Sequence, residues 1–516
     1  MSSRKCLNLT TKKGYRMSAY FRWCSVLLVL LVALGIGLRV HDLEERSLWS
    51  DELFTLALAH YNPLLPEPGQ PAYRQINVRQ IGDNDTFLTA KAAEQSPPLN
   101  DLLEKATVSW LGATELAARL PAALASCALL LWFAWFAWRH PDAYVRRVLR
   151  WTLLVLVFYP ALIEYAKDGR PYSIGVSAVG MAGLLWMLRW REGWRAWQPP
   201  GWTEIGLFTL ACYSHYNAAM LVMLLLSGDA VMATWHRSRQ AWGRLLALGL
   251  AFSIWIALSS HTIFFTYQGG VAWGHATAWQ HTLMTLNDAP RIMHSLWLAF
   301  TSVMMLAVAL VRSRRREPLW NTKSALQLGV LTGLTVLYVV CAGLIAAKVS
   351  MAHPRYYIFA LPFVAVMMGL ILAELSHHWL VIGSALMLVA LTAPALRLGP
   401  LSDVEDFRAM ALSGVHGSDE DTIFLYPWLP NKNMYRVYLE RFLGKDPLSR
   451  MIGISDPQDA AQVCQRLNGR TNVVAVGHVS GKGAIGSVYA ACGVGWPHRS
   501  REQFEKTFAE HWRSDK

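Results

Sequence analysis

The segment RWCSVLLVLLVALGIGLRVHDLEERSLWSDE, residues 22–52, decides the class of protein to which this chain belongs. Its apolar run, centred near residue 32, predicts a membrane-spanning helix. The basic segment 1–22 precedes this run without an acidic residue, and no small-residue cleavage site follows Leu38. The pattern therefore predicts an uncleaved signal anchor whose N-terminus lies in the cytoplasm.

The composition extends this apolar character to the whole chain. Of the 516 residues, 53% are hydrophobic and only 16% are charged, whereas ordinary soluble domains are about 25% charged. Apolar runs are centred near residues 32, 128, 158, 181, 210, 224, 252, 303, 335, 365 and 388. We therefore predict a polytopic α-helical membrane protein with about 11 transmembrane helices in a membrane domain over residues 23–400.

The basic residues lie in segments that this topology places on one side of the membrane. They are concentrated in the N-terminus and in loops 139–150, 189–202, 234–244 and 312–323, whereas loop 374–379 has none. The acidic residues that oppose them there are Asp142, Glu192 and Glu317. The net charge of +13 is therefore a sign of cytoplasmic loops, and a nucleic-acid partner loses its support.

The same topology places two long segments on the external side of the membrane, namely the loop 41–118 and the tail 401–516. In the acidic loop, Leu53–Tyr61 and Leu99–Leu111 are predicted to form helices at the membrane interface. The tail is predicted to be a small α/β domain. Its expected strands are Thr422–Tyr426 and Asn472–Val476, and its expected helices are Met434–Phe442, Pro457–Leu467 and Glu502–Trp512.

The seven cysteines are scattered, and two of them lie in the predicted external tail. Cys464 and Cys492 form a disulfide or remain two thiols, because an oxidising compartment permits the bond but the sequence does not give their separation. No spacing of Cys and His resembles a zinc site.

Trp49-Ser50-Asp51-Glu52 is the first of four polar clusters on the predicted external side. Two interpretations fit it. Ser50 and the two acids can simply begin a helix, with Ser50 as the cap. Alternatively, one carboxylate acts as a general base and its neighbour supports it.

The next two clusters are Glu94–Leu99 and the turn Tyr165–Tyr172. The consecutive prolines of the first favour an architectural role at a helix start. The turn contains Lys167, Asp168 and Arg170 between two apolar runs, and ionisable groups at membrane depth are usually functional.

The fourth cluster is His353-Pro354-Arg355-Tyr356-Tyr357. Arg355 can extend to the interface beside tyrosines of the aromatic belt, or it can bind phosphate, because a guanidinium fork matches phosphate oxygens. The pair His215-Tyr216 ends another apolar run and is more typical of packing.

In their order, these clusters resemble the motifs of C-type (GT-C) membrane glycosyltransferases, the group that includes protein O-mannosyltransferases and the aminoarabinose transferases of lipid A. The resemblance covers about residues 20–400. Its motifs are Trp49–Glu52, Ser96–Leu99, Arg119–Pro121, Asp168–Arg170, Arg355–Tyr357 and Leu361-Pro362. Ser96 stands where the group usually has His.

This resemblance implies an inverting transferase that moves one sugar from a polyprenyl-phosphate carrier to a cell-surface glycan, lipid or exported protein, at the external face of the inner membrane. Asp51 would be the base, supported by Glu52, and Asp168 would orient the acceptor or hold Arg170. The donor phosphate would bind residues Arg170, Arg355 and Tyr356, with Tyr172, His215 and Tyr216 as further site candidates.

Three questions stay open at this point. A lipid-linked sugar flippase or a glycan ligase would also combine many spans with buried charge, although the sequence shows no repeated halves or broken helices of the kind that transporters have. Acidic pairs can bind Mg²⁺ or Mn²⁺, so a divalent metal remains an open expectation. The sugar and the acceptor are not identified by the sequence.

Overall fold

The computed structural model describes residues 25–71, 81–82, 85–94, 96–192, 201–235, 237, 239, 242–243, 245–250, 252–254, 322–348, 354–374, 406–427, 433–454, 460–468, 470–478, 482–492, 498–504 and 506–513. These residues fall into two compact units. The first lies within Met1–His41, Ala122–Lys167 and Pro171–Gly399, and the second within Asp42–Pro121, Asp168–Arg170 and Pro400–Lys516. The loop and the tail, which the sequence division keeps apart, therefore belong to the same unit.

Helices form most of the described chain. In chain order they are α1 (Ser25–Val40), α2 (Ser50–Tyr61), α3 (Phe87–Glu94), α4 (Leu99–Leu111), α5 (Glu115–Arg139), α6 (Ala143–Phe158), α7 (Pro160–Tyr165), α8 (Tyr172–Glu192), α9 (Trp202–Ser214), α10 (Tyr216–Trp235), α11 (Leu245–Ile254), α12 (Thr322–Lys348), α13 (Leu361–Ala373), α14 (Phe407–Val415), α15 (Asn433–Leu443), α16 (Ala460–Leu467) and α17 (Lys482–Cys492). A 3₁₀ segment, Pro354–Ala360, precedes α13. The helices predicted at Leu53–Tyr61 and Leu99–Leu111 are confirmed.

Five helical segments among the described residues are long and apolar enough to cross a membrane. They are Glu115–Arg139, Tyr172–Arg191, Tyr216–Trp235, Lys323–Ile345 and Arg355–Ala373. The runs near residues 32, 158, 210 and 252 form shorter helices, and those near 303 and 388 lie outside the described residues. A polytopic helical membrane protein is thus confirmed, but the predicted total of about 11 spans is not.

A helix break that the sequence analysis did not predict lies in the first unit, between α6 and α7. Pro160 has no N–H, so it cannot donate to the carbonyl of Leu156 four residues earlier. The Arg39 guanidinium, which is fully buried, donates to that carbonyl at 2.7 Å and to Ser126 Oγ, also at 2.7 Å. Arg39 therefore stabilises the break from α1.

The second unit contains a five-stranded mixed sheet. Its strands are β1 (Ile423–Pro427), β2 (Met451–Ile454), β3 (Asn472–His478), β4 (His498–Phe504) and β5 (Thr507–Arg513), in the spatial order β2-β1-β3-β5-β4. β1 pairs in parallel with β2 and β3, whereas β5 pairs antiparallel with β3 and β4. The tail therefore forms a small sheet with helices, as the prediction of an α/β domain expected.

Two apolar cores lie in the second unit, and β3 contributes to both because its side chains alternate. Val474 and Val476 belong to a core that also contains Leu53 of α2 and Tyr435 of α15. Val473 belongs, with Ala475, to the other core, which α16 and α17 cover. The shared core explains why the loop and the tail form one unit.

The helix predicted over Glu502–Trp512 is wrong, because this segment forms the β4–β5 hairpin. Phe508 and Trp512 are four residues apart, a spacing that places two side chains on one face of a helix. Four is also an even number, so the same two side chains share one face of a strand, and both pack in the second core. The spacing alone could not distinguish the two structures.

Candidate active site

The Trp49–Glu52 cluster lies where α2 begins, in the second unit. Trp49 is the N-cap residue and Ser50 the first residue of the helix, so the predicted cap at Ser50 is wrong by one residue. Glu52 Oε2 accepts the Trp49 backbone N–H at 3.3 Å. Asp51 and Glu52 occupy the first turn, where the partial positive charge of the helix N-terminus favours carboxylates.

Glu52 is fully buried in a bidentate ion pair. Arg119 donates from Nε to Oε1 and from Nη2 to Oε2, both at 2.8 Å, and it also donates to the carbonyls of Leu43, Arg46 and Ser47. The Gly169 N–H donates to Glu52 Oε1 at 2.7 Å. Both carboxylate oxygens are therefore engaged within the protein, and they join α2 to the start of α5 and to residues 168–170.

Asp168 and Arg170 are held against α2. The Trp49 indole N–H donates to Asp168 Oδ1 at 3.3 Å. Arg170 Nη1 donates to the backbone carbonyl of Asp51 at 3.2 Å and also to the Thr55 hydroxyl. The structure thus places Asp168 and Arg170, which share one sequence motif, against the start of α2, where Arg170 contacts Asp51 through its backbone carbonyl.

A second group of buried charges continues from Arg170 to α3 and α4. Its centre is Lys91 Nζ, which contacts Glu94 Oε2, Ser96 Oγ at 2.6 Å and Asp101 Oδ2 at 2.7 Å. Glu94 Oε1 lies 3.5 Å from Arg170 Nη1. Together with the groups around Glu52, these side chains form what we call the charged cluster: Asp51, Glu52, Lys91, Glu94, Asp101, Arg119, Asp168 and Arg170.

Burial and neighbouring charges shift the pKa values of these carboxyl groups in different directions. Burial raises the pKa of Asp101 to about 6, although the charge of Lys91 opposes this. Burial also opposes ionisation of Glu94, but the charges of Lys91 and Arg170 outweigh it and hold the pKa of Glu94 below its usual value. For Glu104, which accepts from Asn100 at 2.9 Å, burial raises the pKa well above the usual value.

The other predicted site residues lie in the first unit, where they surround His215. The His215 ring centroid is 5.3 Å from that of Tyr172, 5.9 Å from that of Tyr356 and 4.8 Å from that of Phe359. The Arg355 guanidinium carbon lies 5.6 Å from the Tyr172 ring centroid. We call Tyr172, His215, Arg355, Tyr356 and Phe359 the aromatic cluster.

A close approach of two backbones positions the aromatic cluster. A Cβ atom on Gly175 of α8 would lie 2.7 Å from the Phe359 ring and 2.8 Å from Ser214 Oγ. Only glycine therefore fits at this position without a shift of its neighbours. Tyr216 begins α10 and is half-buried against the apolar core of the first unit, to which Tyr172 and Phe359 also belong.

Some residues of the site were not identified from the sequence as site residues. Lys91 lies in the short helix FLTAKAAE, where Glu94 is the other charged residue, and a lysine among apolar residues was the available signal. Arg119 was noted in the sequence only as the first residue of the motif Arg119–Pro121. The partner of Glu52 could not be deduced because the two residues are 67 positions apart.

The described residues show no group of three or more His, Cys, Asp or Glu side chains that could hold a metal ion. Asp51 and Glu52 do not form a shared pair of free carboxylates, because both oxygens of Glu52 accept hydrogen bonds from Arg119 and Gly169. In the tail, Cys464 and Cys492 are joined as a disulfide, with their Cα atoms 5.4 Å apart.

The described helices and their buried charges define a polytopic helical membrane protein. Two crystal structures share this fold over nearly the whole chain, both of ArnT from Cupriavidus metallidurans. The structure bound to undecaprenyl phosphate matches with a TM-score of 0.53 and 12% identity, over 94% of this chain and 97% of that one. The apo structure matches with a TM-score of 0.52 and 13% identity, over 95% and 98%.

Sequence comparison gives no corresponding relative, since no protein-family model and no curated protein matches the chain. ArnT is a lipid A aminoarabinose transferase of the GT-C type. The resemblance to this group, predicted from short motifs, is therefore confirmed at the level of the fold.

Proposed function

We propose that this protein is an inverting glycosyltransferase that moves one sugar from a polyprenyl-phosphate carrier to an acceptor at the external face of the inner membrane. The observation that carries this proposal is the ArnT fold over nearly the whole chain, with Asp51, Asp168 and Arg170 gathered at the start of α2. The ArnT structure bound to undecaprenyl phosphate supports a polyprenyl phosphate as the lipid carrier.

Asp51 is the proposed general base. The acceptor hydroxyl oxygen attacks the anomeric carbon, the bond from that carbon to the phosphate oxygen breaks, and the hydroxyl proton passes to the Asp51 carboxylate. The leaving group is the polyprenyl phosphate. Because the acceptor attacks opposite the leaving group in a single displacement, the configuration of the anomeric carbon inverts.

Arg170 is proposed to bind the donor phosphate and to stabilise the charge that develops as the bond breaks. Its guanidinium donates to the backbone carbonyl of Asp51, so a hydrogen bond joins the proposed phosphate ligand to the residue proposed as the base. Arg355 and Tyr356, in the first unit, are proposed as further phosphate ligands. Tyr172, His215 and Tyr216 are proposed to support Arg355 and Tyr356.

Glu52 is proposed to position the site and not to take part in proton transfer. Its two oxygens accept from Arg119, Gly169 and the Trp49 backbone, which fixes residues 168–170 against α2. Asp168, held by the Trp49 indole, is proposed to orient the acceptor hydroxyl.

The test uses the purified full chain in proteoliposomes with a labelled polyprenyl-phosphate monosaccharide and cell-envelope acceptors. A transferase passes one labelled sugar to an acceptor, a ligase passes a whole glycan, and a flippase moves the donor without transfer. We expect single-sugar transfer by the wild type, loss of transfer in Asp51→Asn, and normal transfer in the control Glu45→Gln, whose side chain is exposed in the same loop.

Near-normal transfer by a folded Asp51→Asn variant would remove Asp51 from the mechanism. Failure of the wild type to label any acceptor, combined with movement of the donor across the bilayer, would favour the flippase. The break between α6 and α7 gives that alternative no support, because Arg39 and not a ligand site occupies its freed carbonyl. Assays with and without EDTA test whether Mg²⁺ or Mn²⁺ is required.

A further inference from the structure

Lys91 is a buried charge that the proposed reaction does not use. Only 4% of the residue is exposed, and its ammonium group contacts Glu94, Ser96 and Asp101. An ammonium has three N–H donors, and these three acceptors use all of them. Lys91 is therefore fully committed inside the protein and is not available as a direct ligand of the substrate.

The two carboxylates around Lys91 keep it charged despite its burial. Burial alone would lower the pKa of Lys91, but Asp101 and Glu94 outweigh it and raise that pKa. An unpaired buried ion is strongly destabilising, so this arrangement is maintained only while both signs of charge are present.

Glu94 connects Lys91 to Arg170. One oxygen of Glu94 contacts Lys91, and the other lies 3.5 Å from Arg170 Nη1, beyond the length of a good charge-assisted hydrogen bond. The same Nη1 donates to the Asp51 carbonyl and to Thr55. Glu94 is thus shared unequally between two cations, and Lys91 has the stronger contact.

We propose that Lys91 is a positioning residue that, by neutralising Glu94, limits the Glu94–Arg170 attraction and so sets the affinity of Arg170 for the donor phosphate. This inference rests on the proposed function, since it requires Arg170 to bind phosphate. Without Lys91, Arg170 would be the cation beside Glu94 among the described residues. It would then move toward Glu94 and away from the Asp51 carbonyl, and the donor phosphate would have to compete with a carboxylate.

The experiment compares three variants of the full chain in proteoliposomes. For Lys91→Met we expect the KM for the donor to rise about tenfold, within the range of coupling between residues of one ionic network, with a much smaller change in kcat. For Glu94→Gln we expect no rise, so that the donor KM equals that of the wild type or falls below it. For the double variant Lys91→Met/Glu94→Gln we expect recovery of the wild-type KM.

Lys105→Met is the matched control. Lys105 is a partly buried lysine of the same unit that donates to the backbone carbonyls of Ala59 and Asn62, at 2.8 and 2.7 Å, and contacts no carboxylate of the described residues. Its replacement removes a lysine of the same kind without changing the charge balance around Glu94. We expect the donor KM of this variant to stay at the wild-type value.

A pH profile provides a readout that loss of packing would not change. The groups facing Glu94 are Lys91 on its own helix, Ser96, Asp101 on α4 and Arg170, and Glu104 lies beyond Asp101. When Lys91 is removed, the pKa of Glu94 rises. Lowering the pH then protonates Glu94, and the proton removes the negative charge that Lys91 neutralises in the wild type. The KM of Lys91→Met should therefore fall toward the wild-type value as the pH is lowered.

Two results would overturn the inference: an unchanged donor KM in a folded Lys91→Met variant, or a double variant no better than Lys91→Met alone. If Lys91→Met does not fold, a raised KM in Glu94→Gln contradicts it independently. Failure of the proposed function is a separate outcome, since the wild type itself would then transfer no sugar. In that case, direct binding of undecaprenyl phosphate by the same variants tests the effect of Lys91 on Arg170.

Discussion

The charged cluster of the second unit and the aromatic cluster of the first unit hold their functional candidates by different forces. In the charged cluster, directional bonds such as the Glu52–Arg119 pair determine the position of each group. In the aromatic cluster, rings lie 4.8 to 5.9 Å from His215 and depend on backbone packing at Gly175. A buried ion pair fails when one partner is lost, whereas ring contacts tolerate partial replacement.

This difference indicates a division of labour. Directional ion pairs hold side chains in one geometry, which suits the proposed base and the residues around it, since a misplacement of about 1 Å can cost about a hundredfold in rate. The rings of the aromatic cluster provide an apolar surface beside a cation, which suits the phosphate-binding role proposed for Arg355. Substitutions in the charged cluster should therefore have larger and less graded effects than substitutions in the aromatic cluster.

The largest effect is expected for Glu52→Gln. This change leaves Arg119 buried without its carboxylate partner, so the unfolding free energy should fall by about 3–5 kcal/mol. Transfer should decrease at least about a hundredfold because residues 168–170 lose their connection to α2. Thermal unfolding of the detergent-purified protein and the transfer assay measure both, with Glu45→Gln as the control. Normal stability of Glu52→Gln would contradict the importance of this pair.

A smaller effect is expected for Arg355→Met in the aromatic cluster. The KM for the donor should rise about 10- to 100-fold, because a hydrogen bond to a charged group contributes about 1.5–3 kcal/mol. The unfolding temperature should change little, and Arg355→Lys should recover part of the affinity because it keeps the charge but not the fork. Equal donor KM values for Arg355→Met and the wild type would exclude Arg355 as a phosphate ligand.

A still smaller effect is expected for Tyr172→Leu. The change removes the ring that lies 5.6 Å from the Arg355 guanidinium. A cation–π contact of about 1 kcal/mol corresponds to a rise of about fivefold in donor KM. Tyr172→Phe keeps the ring and should behave as the wild type. If Tyr172→Phe is impaired as much as Tyr172→Leu, the hydroxyl and not the ring is the important group.

The smallest effect is a pH dependence expected of Asp101 in the charged cluster. The pKa of Asp101 is raised from 3.8 to about 6 in the folded protein, so the folded state binds this proton more tightly than the unfolded chain. Its contribution to stability is therefore complete below about pH 4 and is lost as the pH rises through about 6. In Asp101→Asn, the fall in unfolding temperature over this range should be smaller. Parallel curves for the two proteins would show that Asp101 does not titrate there.

Sequence reasoning predicted the polar groups better than their partners. Asp51, Asp168 and Arg170 were predicted because charges beside apolar runs are conspicuous, and the structure brings them together. The Glu52–Arg119 pair was not predicted, because a contact across 67 residues leaves no periodic signal. The contacts of Lys91 were not predicted either, although Glu94, Ser96 and Asp101 are only 3, 5 and 10 residues away along the chain. The β4–β5 hairpin was missed for a local reason, since a spacing of four residues fits a helix and a strand equally well.

Arg39 has a consequence for the order in which the membrane protein assembles. As α1 is synthesised, Arg39 can donate to Gly35 within its own helix, but its partners Ser126 and Leu156 follow 87 and 117 residues later. A guanidinium exposed to lipid is costly until those groups arrive. The Arg39 contacts that join α1 to α5 and α6 can therefore form only after α6 has been synthesised.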